Sequence, residues 1–242
     1  MNQKQPYLLI VDDEIDTCAN LKDIFTDLGY QVDVAYDGLS ALELVKTHHY
    51  DVALLDLKMP GMDGLELYRR IRQISACTVA VIVTAYATSE TARAALAAGA
   101  WRILAKPVDF NQLLGLVGEA LEQPLVLVVD DDQELCESLW DLFREHSYRT
   151  CLAHNIREAD QSLKQQQHNV VLIDMKLPEG HGGDVLRLVH EGNPSARTIV
   201  ITGYRGEMEE LVQQAVASGA DAVCYKPFDV KQLLSTVKQL EK

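Results

Sequence analysis

Residues 52–64 read VALLDLKMPGMDG, a short apolar run that ends in Asp56 and then breaks at Pro60 and Gly61. An apolar run of this length, followed by turn residues, is typical of a strand buried on both faces of a parallel sheet. The pattern therefore places Asp56 at the carboxyl end of a strand, where a parallel sheet opens to ligands. A similar run, VVLIDMKLPEG over residues 170–180, places Asp174 in the same way.

Apolar runs of strand length alternate with stretches of helical periodicity through the first half of the chain. The strand-like runs are YLLIV, VDVA, VALLD, VAVIVT and ILAK, and amphipathic or Ala-rich segments separate them. Strands that alternate with helices predict a parallel sheet covered by helices on both faces. Each half of the chain is therefore expected to be a doubly wound α/β domain.

The same pattern returns in the second half of the chain. Asp12, Cys18, Asp56 and Thr84 recur at a spacing of 118 residues, whereas Lys106 recurs after 120; the matching residues are Asp130, Cys136, Asp174, Thr202 and Lys226. A period this long indicates a duplicated domain and not a short structural repeat. We therefore expect two domains, residues 1–122 and 123–242, whose boundary is the very short linker Glu122-Gln123-Pro124.

Composition narrows the class of protein. The net charge of −14 argues against a nucleic-acid-binding surface, which needs clustered Lys and Arg. No apolar run approaches the roughly 18 residues of a membrane span, and no secretory segment is apparent. Five cysteines, an odd number without a CxxC motif, favour a reducing cytoplasm. The scattered histidines, His48, His49, His168 and His181, are expected at the surface.

Polar side chains stand at the strand ends of the first half: Asp12, Asp13, Asp56, Thr84 and Lys106. Because the carboxyl ends of parallel strands share one edge, we expect these groups to converge. Three carboxylates repel one another unless a cation compensates them, and Mg²⁺ suits oxygen ligands beside a phosphate. Lysine and a hydroxyl suit phosphate oxygens, so the set predicts a phosphoryl-transfer site with Asp56 as acceptor.

These motifs resemble the receiver domain of two-component response regulators. The first set is Asp12-Asp13, Asp56 with Met59-Pro60 and Asp63-Gly64, Thr84-Ala85, Gly99-Ala100 and Lys106-Pro107. The second set is Asp130-Asp131, Asp174 with Pro178, Thr202-Gly203, Gly219-Ala220 and Lys226-Pro227. Five motifs in the same order, twice over, cover essentially the whole chain.

The resemblance implies two flavodoxin-like domains, each a five-stranded parallel sheet of order 2-1-3-4-5 with five helices. It implies Mg²⁺-dependent phosphorylation of Asp56 and Asp174 by a sensor histidine kinase or a histidine phosphotransfer protein. The implied metal ligands are Asp13, Asp56 and the carbonyl of Lys58, with Asp12 acting through water, and then Asp131, Asp174 and the carbonyl of Lys176, with Asp130 in support. It also implies cis peptide bonds before Pro107 and Pro227.

The sequence departs from the family pattern at several positions. Ile103 and Val223 stand three residues before the lysines, where receivers usually carry Tyr or Phe, so coupling between threonine and an aromatic switch is in doubt. In the second half His181 replaces Asp63, and Gly180-His181-Gly182-Gly183 is expected to loosen the loop after Asp174.

Two further positions border the path of the hydrolytic water in the family. The first half has Lys58 and Tyr86 there, and the second has Lys176 and Tyr204. A lysine and a bulky tyrosine at these places suggest slow loss of the phosphoryl group.

Three functions remain in view. The first is a signalling module, not a turnover enzyme, that acts through a protein partner or an attached output domain, with a possible homodimer through the fourth and fifth helices. The second is a scaffold in which only one copy takes phosphate. The third is a haloacid-dehalogenase-type phosphatase; its nucleophile lies on the first strand with another Asp two residues later, where this chain has Glu14.

Overall fold

The computed structural model describes residues 5–178, 180–203, 213, 216–217 and 219–241. Contacts divide the chain into two compact units, Met1–Gln123 and Pro124–Lys242. Within the described residues, none of the helices combines the length and the apolar character that a membrane span requires.

The first unit is a five-stranded parallel sheet with helices on both faces. Its strands run in the order β2-β1-β3-β4-β5, as the resemblance implied. The elements are β1 Tyr7–Val11, α1 Ile15–Asp27, β2 Gln31–Ala35, α2 Gly38–Thr47, β3 Val52–Leu55, α3 Gly64–Ile74, β4 Val79–Thr84, α4 Ser89–Ala97, β5 Arg102–Ala105 and α5 Phe110–Glu122.

The second unit repeats this architecture in the order β7-β6-β8-β11-β12. The fourth helix expected here falls largely outside the described residues. The described elements are β6 Leu125–Val129, α6 Gln133–Glu145, β7 Arg149–Ala153, α7 Ile156–Gln165, β8 Val170–Asp174, β9 Lys176–Leu177, β10 Gly180–His181, α8 Gly182–Gly192, β11 Arg197–Gly203, β12 Ala222–Lys226 and α9 Val230–Leu240.

Alternate residues of the strands serve two separate cores in the first unit. Leu9 of β1 packs into a cluster that includes Leu67 of α3. Its neighbour Ile10 packs on the opposite face, in a cluster with Phe25 of α1 and Val117 of α5. These side chains are essentially inaccessible to water, which explains why the strand is apolar at every position. In β1 the carboxylates therefore come only after the strand, at Asp12 and Asp13.

The loop after Asp174 contradicts the expectation of a looser segment. Lys176–Leu177 and Gly180–His181 pair as two short antiparallel strands. Gly180 has a φ of 151°, which a residue with a Cβ adopts rarely. The glycine therefore lets Gly180 pair with Leu177, so the described part of this segment is paired and not loose.

His168 also differs from expectation, because it is buried and not at the surface, with 3% of its surface exposed. Its Nε2 atom lies 3.2 Å from the Ser162 hydroxyl. The two Lys-Pro bonds, Lys106-Pro107 and Lys226-Pro227, are cis as the resemblance implied.

Candidate functional site

Three carboxylates of the first unit meet at the carboxyl edge of its sheet. Asp12 and Asp13 directly follow β1, and Asp56 directly follows β3. Each offers an oxygen atom within 4.8 Å of the others. Asp12 and Asp56 are buried, with 4% and 7% of their surfaces exposed, whereas Asp13 is exposed. The predicted convergence of these acids is therefore present in the fold.

Lys106 supplies a positive charge to this cluster. Its Nζ donates to Asp12 Oδ2 at 2.6 Å and lies 3.7 Å from Asp56 Oδ2. The same Nζ lies 3.8 Å from Glu14 Oε2, an exposed carboxylate that sequence reasoning had not placed in the site. One lysine therefore faces three carboxylates in the first unit, and it is hydrogen-bonded to Asp12.

Burial and charge act against each other on the ionisable groups. Burial raises the pKa of Asp56, the Lys106 ammonium opposes that rise, and the Asp12 carboxylate adds to it. Burial tends to lower the pKa of Lys106, but the hydrogen bond to Asp12 and the charges of Asp12 and Asp56 outweigh it and leave the pKa raised. Lys106 is therefore charged at neutral pH.

Thr84 lies at the end of β4 with none of its surface exposed. Its hydroxyl oxygen accepts from the Tyr86 N–H at 3.2 Å, so the hydroxyl proton remains for another acceptor. The Lys106 N–H donates to the Thr84 carbonyl at 2.9 Å. This backbone contact joins β4 to the residue after β5, and brings the threonine and the lysine to the same edge of the sheet.

The second unit assembles the corresponding groups. Asp130, Asp131 and Asp174 offer oxygen atoms within 4.8 Å of one another. Lys226 Nζ donates to Asp130 Oδ2 at 2.6 Å and to Asp174 Oδ2 at 2.8 Å. The lysine is therefore hydrogen-bonded to the aspartate at the end of the middle strand, whereas Lys106 stands 3.7 Å from its counterpart.

Electrostatics in the second unit follow the same causes. Burial raises the pKa of Asp130, against the hydrogen bonds from Lys226 and from the backbone of Asp132. Burial tends to lower the pKa of Lys226, but its hydrogen bonds to Asp130 and Asp174 leave the pKa raised. Thr202 is fully buried, and its hydroxyl donates to the Gly203 carbonyl at 3.1 Å.

Glycine is required where each loop returns to its aspartate. A Cβ on Gly64 would lie 2.2 Å from the carbonyl oxygen of Asp56, and one on Gly182 would lie 2.4 Å from that of Asp174. The first residues of α3 and α8 therefore rest directly against the aspartates. Asp63 caps α3 by accepting from the Glu66 N–H at 2.8 Å.

Several candidate positions lie beside these clusters. Lys58 is exposed, and its Nζ stands 5.8 Å from the centre of the Tyr86 ring. Lys176 is also exposed, and its N–H donates to Asp174 Oδ1 at 3.1 Å. Tyr204, the counterpart of Tyr86, lies outside the described residues.

Ile103 and Val223, three residues before the lysines, are aliphatic and partly buried where the family usually has an aromatic residue. Ile103 packs against the core formed with α3, and Val223 is half-buried on β12. In register, Thr84 pairs with Ala105, whereas Thr202 pairs with Tyr225. Tyr225 directly precedes Lys226 in the chain and is exposed.

Two cysteines and a histidine also touch the clusters. The thiols of Cys18 and Cys136 donate to the carbonyl oxygens of Asp12 and Asp130, each at 3.3 Å. His154 Nδ1 lies 3.1 Å from the Asp130 carbonyl oxygen. The shared spacing of the cysteines marked them in the sequence. Nothing marked His154, because the matching residue in the first half is Tyr36.

The donor set of each cluster fits Mg²⁺. All ligand candidates are oxygen atoms, and carboxylates are the protein groups that this hard cation prefers. The two buried carboxylates of each cluster face one lysine, so negative charge exceeds positive charge in both places. With the third, exposed aspartate of each cluster the excess is larger still, and a divalent cation would offset it.

A model of the response regulator receiver domain matches residues 8–118 and again residues 126–238. The chain belongs to the response regulator receiver family. It carries two receiver domains in tandem, and both have the strand order that this fold requires. The chain is thus of a signalling family and not a typical metabolic enzyme.

Two relatives in sequence agree with this assignment. A response regulator receiver protein of Anaeromyxobacter sp. (strain Fw109-5) is 33% identical over 97% of this chain and 94% of its own length. Transcriptional regulatory protein ZraR of Klebsiella oxytoca is 39% identical over 50% of this chain but only 27% of its own length. A CheY-like receiver domain structure from Methanospirillum hungatei JF-1 is 31% identical and covers 49% of this chain and 95% of its own, with a TM-score of 0.48.

Proposed function

We propose that this tandem receiver accepts a phosphoryl group on Asp56 and another on Asp174, and passes the change to a protein partner or an attached output domain. One observation carries the proposal. In both units a buried aspartate at the end of the middle strand stands within 4 Å of a lysine that also bonds a second buried aspartate. Such a pairing suits the capture of a doubly charged phosphoryl group.

The chemistry assigns a role to each group in the first unit. A carboxylate oxygen of Asp56 forms a bond to phosphorus while the bond from phosphorus to the donor breaks, and the donor keeps the electron pair of that bond. Lys106 neutralises charge on one phosphoryl oxygen, and the Thr84 hydroxyl donates to another. Asp174 and Lys226 have the same roles in the second unit, and the Thr202 hydroxyl would turn from the Gly203 carbonyl to a phosphoryl oxygen.

Magnesium is proposed as the cofactor of both sites. Asp13, Asp56 and the Lys58 carbonyl would hold it in the first unit, with Asp12 acting through water. Asp131, Asp174 and the Lys176 carbonyl would hold it in the second, with Asp130 in support. When bound, the ion would neutralise charge on the phosphoryl oxygens. The oxygen-only clusters support this assignment.

The phosphodonor is proposed to be the phosphohistidine of a sensor histidine kinase or of a histidine phosphotransfer protein. We also propose a cytoplasmic location. We propose no nucleic-acid partner for this part of the chain, because its net charge of −14 does not favour binding to phosphate groups. A docking or dimer surface on α4 and α5 is consistent with the exposed Leu96 and the small, exposed Ala94 and Ala97 on α4.

The rival functions are less well supported. Asp130, Asp174, Thr202 and Lys226 are all at the edge of the second sheet, so a scaffold with one inactive copy has no missing group to explain it. A phosphatase of the haloacid-dehalogenase type would need a second Asp where Glu14 stands, and Glu14 is exposed beside Lys106.

A comparison of capture with turnover tests the proposed function. The protein is incubated with Mg²⁺ and excess acetyl phosphate, and bound phosphoryl groups and released phosphate are measured over time. We expect capture to level off near two phosphoryl groups per chain, followed by slow release. Continuous hydrolysis of a phosphomonoester such as p-nitrophenyl phosphate would indicate the phosphatase, and a complete lack of capture in the presence of Mg²⁺ would refute the receiver assignment.

A further inference from the structure

Two buried thiols lie beneath the acidic clusters and have no role in the proposed chemistry. Cys18 on α1 and Cys136 on α6 have none of their surfaces exposed. The Sγ atom of each lies 3.3 Å from a backbone carbonyl oxygen, that of Asp12 or Asp130. Because a carbonyl oxygen only accepts, the S–H group is the donor in both contacts.

Each thiol completes the support of one aspartate. The Asp12 N–H donates to the Ala35 carbonyl at 3.2 Å. Its Oδ1 accepts from the Glu14 N–H at 3.0 Å, and its Oδ2 accepts from Lys106 Nζ at 2.6 Å. The remaining polar group is the carbonyl oxygen, which accepts from Cys18 Sγ at 3.3 Å. The residue is thus held at all of its polar atoms.

The carbonyl matters because it belongs to the peptide that joins Asp12 to Asp13. A peptide unit is planar, so fixing its oxygen also fixes the direction in which the next residue starts. The thiol thereby constrains Asp13, the exposed member of the cluster. Asp130 has the same arrangement. Its N–H donates to the Ala153 carbonyl, and its Oδ1 accepts from the Asp132 N–H. Its Oδ2 accepts from Lys226 Nζ, and its carbonyl oxygen accepts from Cys136 Sγ.

We propose that Cys18 and Cys136 are positioning residues whose S–H groups hold the Asp12-Asp13 and Asp130-Asp131 pairs in the arrangement that binds a divalent cation. The inference rests on the proposed function. The same contact at the same distance in two copies, 118 residues apart, supports it. It assigns a purpose to a residue type that packing alone does not require, since any small apolar side chain could fill the two positions.

The two units differ in one respect that sharpens the inference. The Asp130 carbonyl oxygen also contacts His154 Nδ1 at 3.1 Å, and because a carbonyl only accepts, that nitrogen must carry the proton for the contact to be a hydrogen bond. The residue matching His154 is Tyr36, and Cys18 is the one side-chain donor to the Asp12 carbonyl in the described part of the first unit. Loss of the thiol should therefore harm the first site more than the second.

The test compares alanine and serine at each cysteine, because these residues have nearly the same volume and only serine donates. Mg²⁺ binding is measured by calorimetry on the full chain, with the Asp131→Asn background isolating the first site. We expect Cys18→Ala to weaken Mg²⁺ binding on the order of tenfold, as for other groups that orient a metal ligand. Cys18→Ser should bind Mg²⁺ within about threefold of the parent, since a hydroxyl replaces the thiol as donor.

The second site is measured in the Asp13→Asn background. Cys136→Ala alone should change Mg²⁺ affinity by less than about threefold, because His154 still bonds the carbonyl, and Cys136→Ala with His154→Ala should lose on the order of tenfold. Infrared spectroscopy of the S–H stretch tests the thiol contact without any metal ion. The S–H stretching band that disappears in Cys18→Ser should lie at the lower frequency of a hydrogen-bonded thiol.

Three results would overturn the inference. They are equal Mg²⁺ affinity in Cys18→Ala and Cys18→Ser, equal losses in Cys18→Ala and Cys136→Ala, and an S–H band at the frequency of an unbonded thiol. Failure of the unmodified protein to bind Mg²⁺ at all would instead refute the proposed function. Urea unfolding of each variant verifies that the chain is folded, and a folded Cys18→Ala variant with unchanged affinity also contradicts the inference.

Discussion

The lysines of the two sites hold their aspartates differently. Lys226 donates to two buried carboxylates at 2.6 and 2.8 Å, whereas Lys106 donates to one at 2.6 Å and lies 3.7 Å from Asp56. The residue types are the same, so the difference is one of geometry. A hydrogen bond to a charged group contributes roughly 1.5–3 kcal/mol when it is well formed.

Removal of each lysine should therefore have unequal effects on stability. In EDTA, we expect Lys226→Met to lower the free energy of unfolding by about 1 kcal/mol more than Lys106→Met, because it leaves two buried carboxylates without their donor. Urea denaturation monitored by circular dichroism measures both. Mg²⁺ should restore part of each loss, and a larger effect at Lys106 would contradict the observed contacts.

Lys58 and Tyr86 stand together beside the first site, with Nζ 5.8 Å from the ring centre. We expect this pair to obstruct water near Asp56, so Lys58→Asn and Tyr86→Ala should each shorten the phosphoryl lifetime at Asp56 severalfold. The phosphoryl lifetime is measured in an Asp174→Asn background, from the decay of phosphorylated protein after the donor is removed. Unchanged phosphoryl lifetimes in both variants would refute the expectation that this pair obstructs water near Asp56.

At the scale of elements, α3 begins against the acceptor strand. Gly64→Ala would place a Cβ 2.2 Å from the Asp56 carbonyl oxygen. Relief of this clash would require the backbone of Asp56 or of α3 to move, which is energetically costly. We expect a loss of about 1–3 kcal/mol in the free energy of unfolding, together with poorer phosphoryl capture at Asp56. Among the described residues, a Cβ on Gly115 of α5 would meet no atom within 4 Å beyond its own helix backbone and chain neighbours, so Gly115→Ala is the matched control.

The control should behave in the opposite way. Because alanine favours a helix interior over glycine, Gly115→Ala should stabilise the protein by roughly 0.5–1 kcal/mol. Both variants are measured by urea unfolding. Equal effects of the two substitutions would show that the close approach at Gly64 is not what requires glycine there.

A cluster of two tyrosines links β1, β2 and the start of β3. The Tyr7 and Tyr50 hydroxyls each donate to Asp33 Oδ2 at 2.6 Å. Burial raises the pKa of Tyr7 to about 12 and also raises the pKa of Tyr50, and the Asp33 carboxylate adds to both shifts. Folding therefore favours the protonated tyrosines.

This cluster predicts a loss of stability in alkali. A folded pKa above the unfolded value of about 10 gives stability that is complete below pH 10 and is lost as the pH rises through the folded pKa values. The free energy of unfolding should thus fall above about pH 10. Tyr50→Phe should flatten that fall, and an unchanged pH profile in this variant would contradict the assignment.

The sequence predicted the elements better than their contacts. Strand-end placement identified Asp12, Asp56, Thr84 and Lys106 because apolar strands leave few polar residues unexplained. The pairing of Lys176–Leu177 with Gly180–His181 was missed, because glycine is compatible with both an irregular loop and a paired strand. The burial of His168 was missed as well, since Asn193, which donates to the His168 carbonyl, lies 25 residues away in the chain.

At the scale of the whole molecule, the repeat is the most informative feature of the sequence. Alternation of strands and helices predicted parallel sheets, but the strand order came from the family resemblance and not from periodicity. The two copies differ in the distance from lysine to aspartate, although their residues match at these positions. Lys226 reaches Asp174 and Lys106 does not hydrogen-bond Asp56, although the lysine and the aspartate are the same residue types in both units. No sequence pattern predicts a difference of this size between two lysine–aspartate distances.

The central claim is that one chain carries two phosphoacceptors, Asp56 and Asp174. The direct measurement is the intact mass of the protein after phosphorylation with Mg²⁺ and acetyl phosphate, for the unmodified chain, Asp56→Asn, Asp174→Asn and the double variant. We predict two added phosphoryl groups, one, one and none. A single group on the unmodified chain, or any group on the double variant, would contradict the account.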